Sequence, residues 1–158
     1  MTSYVAPTKE NTLYLVIKQS FFDEIKAGTK KCEYREIKDT TYCKYLECDE
    51  DGNPFFREGE IDIDNPLCGD IYVWNNGVYP YIPKDDICYL NLAVEYKMNR
   101  ATMTVEVLDV TFEPLCDKKN NPARFTEDEN GVAPSPDGEL CFWQIVYHLG
   151  NILELNEP

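Results

Sequence analysis

No apolar run in this sequence approaches the roughly 20 residues that a helix needs to cross a bilayer. The opening Met1-Thr2-Ser3-Tyr4 carries none of the basic, apolar and small-residue regions of a secretory signal. A cytoplasmic chain without a membrane partner is the expectation. Histidine occurs once, at His148, and none of the seven cysteines stands in a Cys-x-x-Cys pair, so the spacings that build zinc sites are missing. No metal and no cofactor is expected. Positive charge is scarce too. Fifteen Lys and Arg stand against 29 Asp and Glu, a formal charge of −14, which excludes attraction of the whole surface to nucleic-acid phosphate. Neither a low-complexity tract nor an internal repeat is evident.

What the chain does have is the size and apolar content of one α+β domain: 158 residues, 43% of them hydrophobic, enough for one core spanning 1–158. Cysteines in settings such as Ile87-Cys88-Tyr89 and Leu140-Cys141-Phe142-Trp143 read as reduced thiols acting as small core hydrophobes. His148, between Tyr147 and Leu149, reads as a structural histidine. The charge is unevenly spread. From Lys18 to Lys44 seven basic residues outnumber five acidic ones, and the remainder of the chain carries −16.

Leu13 to Lys18 are β-formers and predict a buried first strand. A helix follows, with Ser20 as its cap, Phe21, Phe22 and Ile25 on its apolar face, Lys26 in its last turn and Gly28 as its left-handed stop. Lys31 to Arg35 is then extended, with Lys31, Glu33 and Arg35 on one face and Cys32 and Tyr34 on the other. Tyr42, Tyr45 and Leu46 repeat at helical spacing. Two surface loops are expected, at 48–65 and 117–139. In the first, Asp49, Asp51, Asn53 and Glu60 imitate calcium-loop positions, but Pro54 stands where that loop needs glycine, so a solvated turn is favoured.

Strands are expected at Ile71–Trp74, after Gly69-Asp70, with a tight turn at Asn75-Asn76-Gly77. A hairpin should follow, with Cys88, Leu90, Leu92, Val94 and Tyr96 pointing inward and Met103, Val105 and Val107 on its return. The inward parity then slips to Leu108, Val110 and Phe112, as a β-bulge would produce where a sheet curls into a barrel. A last strand, Cys141–Leu149, is expected to stop at Gly150.

Lys30, Glu33 and Arg35 within six residues form the constellation that carries chemistry. It can grip a phosphate or a base edge, or supply an acid, a base or an activated amine. An exposed, salt-bridged strand contains the same letters.

The strand, the helix Phe21-Phe22-Asp23-Glu24-Ile25-Lys26-Ala27-Gly28 and the following Thr29-Lys30-Lys31-Cys32-Glu33-Tyr34-Arg35 resemble the ASCH domain family, whose signature reads Gly-x-Lys-x-x-Glu-x-Arg. Gly28, Lys30, Glu33 and Arg35 match it in order. Gly69-Asp70 before a strand and His148-Leu149-Gly150 are similar to further family features, and the two acidic loops have no counterpart. The resemblance implies a PUA-like β-barrel of about five to seven mostly antiparallel strands flanked by two or three helices. It also implies RNA or nucleotide-like ligands beside the signature. One branch of the family hydrolyses the amide of an acylated cytidine. That branch keeps a lysine equivalent to Lys30 but has threonine where this chain has Glu33.

Three functions follow as expectations. The first is an RNA- or nucleotide-binding domain using Lys30, Lys31, Glu33, Tyr34, Arg35 and Trp74, with Tyr34, Tyr42, Tyr45 and Trp74 as stacking candidates. The second is a hydrolase acting on a modified nucleoside amide or an RNA phosphodiester, with Lys30 and Glu33 as its catalytic residues. The third is an acidic protein-interaction domain, as a bacterial or phage mobile element would carry.

Overall fold

A computed structural model of the chain describes residues 5–57, 77–95 and 98–158. The expected strand Ile71–Trp74, Gly69-Asp70, Asn75-Asn76, Cys68, Tyr96 and Glu60 lie outside these residues. The described chain is mixed α+β and mostly strand. Its elements are β1 (Thr12–Ile17), α1 (Gln19–Ala27), β2 (Cys32–Glu36), α2 (Tyr42–Tyr45), β3 (Tyr89–Val94), β4 (Thr102–Pro114), β5 (Arg124–Asp128), β6 (Gly131–Pro134), β7 (Leu140–Cys141) and β8 (Trp143–Asn156). Five strands form one sheet in the order β1-β3-β4-β8-β2, and three form another in the order β6-β5-β7.

The residues fall into two compact units. One gathers the chain up to Glu33 with Asp85–Val110 and Tyr147–Pro158; the other gathers Tyr34–Lys84 and Thr111–Val146. The core of the first is built on β3. That strand pairs in parallel with β1, Thr12 beside Tyr89 through Ile17 beside Val94, and antiparallel with β4 from Tyr89–Glu106 to Ala93–Thr102. Flanked on both sides, β3 buries Tyr89, Leu90, Leu92, Ala93 and Val94, a near-continuous apolar run rather than the alternation expected of it. Cys88, expected inward, is exposed, because it precedes the strand while the neighbouring Tyr89 is the residue that turns in. β1 alternates, with Leu13, Leu15 and Ile17 buried and Tyr14 exposed. Helix α1 packs against β3 and buries Phe22 and Ile25.

The second unit centres on aromatic rings. Tyr79 lies 5.5 Å from Tyr81, 5.0 Å from Trp143 and 4.6 Å from Phe112 between centroids, distances at which tilted and edge-on rings attract. Ile37, Leu46, Ile145 and Val146 are buried in the same unit.

Several expectations are corrected. Helix α1 starts at Gln19 after Lys18, with no side-chain cap bond; Ser20 lies inside its first turn. The barrel does not close: among the described residues the sheet order begins at β1 and ends at β2. Among the described residues these two end strands are not paired with each other. Leu108, expected to point inward after the parity slip, is 67% exposed on β4. β8 does not stop at Gly150 but runs on to Asn156. There β8 passes close to side chains of β4, whose flexible ends an added methyl would displace. A Cβ at Gly150 would come within 2.8 Å of Leu108 Cδ2 and 2.9 Å of Glu106 Oε1, and the same Oε1 accepts the Asn151 N–H at 2.9 Å.

The segment 117–139, expected as a loop, contains the β5–β6 hairpin, Phe125 opposite Pro134 through Asp128 opposite Gly131. Every residue of β6 is exposed, so no burial imposes the alternation by which a strand is recognised.

The structure also reveals a repeat. Cys48-Asp49-Glu50-Asp51-Gly52-Asn53-Pro54 and Cys116-Asp117-Lys118-Lys119-Asn120-Asn121-Pro122 adopt one turn. In each, the aspartate Oδ1 accepts two backbone N–H groups, from Asp51 and Asn53 in the first and from Lys119 and Asn121 in the second, at 2.9–3.0 Å. In each, the cysteine bridges the proline, and the residue before asparagine has positive φ, 83° at Gly52 and 65° at Asn120. The two share Cys-Asp-x-x-x-Asn-Pro. Asp49, whose Oδ1 takes two backbone N–H groups while Asn53 Nδ2 reaches its Oδ2, is a turn residue. Backbone hydrogen bonds, that from Asn53 first, hold its carboxyl below the ordinary carboxylate range.

Candidate functional site

The signature segment starts at a pinned turn. Gly28 takes φ 81°, where only glycine is unstrained, and its N–H reaches Ile25 O at 3.1 Å. The N–H groups of Thr29 and Lys30 and the Thr29 hydroxyl all donate to Glu24 O at 3.0–3.2 Å. The chain thus leaves α1 in a fixed direction.

In the first unit this turn sets Lys30 Nζ over the Phe21 ring, 4.9 Å from its centroid, with Lys18 Nζ 5.7 Å from the same ring. Two cations lie over one aromatic ring. Phe21, expected to be core, is therefore a surface platform. Lys31 is exposed, while Glu33 is only 4% exposed. In the second unit Tyr34 is 45% exposed and Arg35 half-buried. Lys44 of α2 is held below the usual lysine range by burial and, next, by the Arg35 guanidinium. Among the other stacking candidates, Tyr45 is buried, Tyr42 is half-buried with its hydroxyl donating to Gly52 O at 2.7 Å, and Trp74 lies outside the described residues. Tyr34 alone of the four presents an open ring among the described residues.

Sequence reasoning missed Lys18 and Lys44, although both bound the locally basic stretch that it identified. It also missed a cleft of about 540 Å³ in the second unit, lined by residues that include Asp117, Pro122, Arg124, Phe125, Pro134 and Pro136. The cleft is built from the second copy of the repeated turn and the β5–β6 hairpin. None of the signature residues lines it.

The cysteines are more open than expected. Cys141 is the one buried cysteine among the described residues, and burial pushes its thiol up. Cys43, Cys88 and Cys116 are exposed, and Cys32 and Cys48 are half-buried. Cys48 is pushed up to about 11, first by burial and then by its hydrogen bond with Cys43.

No protein-family model, curated protein or solved structure matches this chain.

Proposed function

We propose that this chain is an ASCH-type, PUA-like domain that binds RNA or a nucleotide-like ligand through the cations and the open ring of its signature segment. The observation that carries the reading is the open Tyr34 ring, 45% exposed, next to the half-buried Arg35 on β2. In a chain of net charge −14, Lys44 feels the positive field of Arg35, and a phosphate is attracted to both cations. Tyr34 supplies a ring of the kind on which bases stack. Lys30 and Lys18 over Phe21 add a second positive surface within their own unit. Glu33 is almost fully buried and is given no ligand contact in this reading. The reading rests on the signature's local geometry and not on barrel closure.

The test is a titration of fluorescent oligouridine, a nucleoside monophosphate and acylated cytidine at increasing salt. Single-stranded RNA is expected to bind at low salt. Arg35→Ala and Lys44→Ala are each expected to weaken it and to flatten the log–log salt slope by about 0.7, the contribution of one phosphate contact in a single strand. Absence of binding to all three ligands, or identical slopes for wild type and both variants, would overturn the reading.

A further inference from the structure

The chain's single histidine faces a cysteine 116 residues away in sequence. Leu149 N–H donates to Lys31 O at 2.9 Å and Ile37 N–H to Trp143 O at 2.9 Å. Each step forward along β2 is therefore a step back along β8, an antiparallel ladder that sets Cys32 opposite His148. Lys31 and Leu149 form a hydrogen-bonded pair, so Cys32 and His148 form the adjacent non-hydrogen-bonded pair. In such pairs the Cα atoms approach to about 4.5 Å and the side chains lie closest. The result is a contact of 3.6 Å between Cys32 Sγ and His148 Nδ1. Both side chains are half-buried and so partly accessible to reagents, and among the described residues β2 is at an end of the sheet order. A histidine nitrogen within reach of a thiol is the minimal form of an activated nucleophile. It requires the tautomer with the proton on Nε2, leaving Nδ1 as acceptor.

We propose that Cys32 and His148 are a nucleophile–base pair that takes an acyl group from an activated ester or thioester, an activity separate from nucleotide binding and not resting on it. Cys32 Sγ forms a bond to the acyl carbon, the carbon–oxygen or carbon–sulfur bond of the donor breaks, and the leaving group departs with that electron pair. The thiol proton passes to His148 Nδ1. The other cysteines are built differently: the sulfurs of Cys88 and Cys116 contact backbone carbonyls of Asp86 and Pro114 at 3.8 and 3.5 Å, which accept but cannot carry off a proton.

The full chain is incubated with p-nitrophenyl acetate, nitrophenolate release is followed, and the acetylated cysteine is located by peptide mass mapping. Acetylation is expected first at Cys32, at least tenfold faster than at the more exposed Cys88 and Cys116. His148→Asn keeps a polar side chain but no base. It is expected to bring the Cys32 rate down to that of Cys88 while Cys88 itself is unchanged. Equal or slower reaction of wild-type Cys32 than of Cys88 overturns the proposal, as does an unaltered Cys32 rate in His148→Asn. Should that variant fold poorly, seen as a changed Cys88 rate, the wild-type ranking of the three thiols decides alone.

Discussion

Gly138 was legible only as one small residue in an exposed segment, yet replacing it with alanine is expected to be among the most damaging single-methyl additions in the chain. A Cβ built there would lie 2.1 Å from Phe125 O, 2.4 Å from Phe125 C and 2.7 Å from Phe125 N. Real Cβ atoms essentially never approach below 3.0 Å, so the backbones must part by about 0.9 Å. The obstacle is main chain, and no rotamer change relieves it. The separation disturbs Gly138 N–H to Ser135 O and Ser135 N–H to Arg124 O, both 3.0 Å. At roughly 1 kcal/mol for each bond, added to about 1–2 kcal/mol for overpacking, the cost is about 3 kcal/mol. Gly28→Ala is the control, because nothing lies within 4 Å of its added Cβ and only the positive φ is strained; it is expected to cost about 1 kcal/mol. In urea titrations followed by tryptophan fluorescence, a slope of about 2 kcal/mol per molar converts these into midpoint losses of about 1.5 M and 0.5 M. A Gly138→Ala midpoint equal to wild type, or a larger loss from Gly28→Ala, would refute the close-approach argument.

Two adjacent phenylalanines are expected to separate core from surface: Phe22→Ala, fully buried, lowers stability by about 3–5 kcal/mol and the melting temperature by roughly 6–20 °C, whereas Phe21→Ala costs about 1 kcal/mol or less. Matching melts for the two variants would contradict the packing of α1. The Cys48 thiol, raised to about 11 from an ordinary 9.0, contributes stability that is fully present below pH 9. That stability is lost as pH rises toward 11, because the unfolded chain releases its proton first. Tyr42 and Cys141 are raised as well and act in the same direction. Urea midpoints at pH 8 and pH 10.5 are expected to fall further for wild type than for Cys48→Ala, which keeps the other two groups; an equal fall would show that Cys48 contributes nothing.

Local signals read well wherever burial or backbone geometry is decided within a few residues. The alternation of Leu13, Leu15 and Ile17, the stop at Gly28 and the turn of helix at Tyr42–Tyr45 all follow from near neighbours. Failures occur where a distant strand decides. Ala93 is buried because β1 and β4 flank it. Phe21 is a platform because the turn after Gly28 returns Lys30 over it. Gly150 looks like a strand end in sequence, yet β8 continues through it to Asn156, beside Leu108 and Glu106 of β4. The repeated Cys-Asp-x-x-x-Asn-Pro turn was overlooked because its intervening residues differ in charge, Glu50 and Asp51 against Lys118 and Lys119, while the shared aspartate and asparagine do the hydrogen bonding.

By itself the sequence determined the mixed α+β composition, the acidic chain with one locally basic stretch, and the close spacing of Gly28, Lys30, Glu33 and Arg35, since these depend on residue type and short-range order. The tertiary structure decided which of those residues are available. It buried Glu33, left the Tyr34 ring open and brought His148 across the ladder to Cys32. The last depends on strand register between segments 116 residues apart, which no local pattern records.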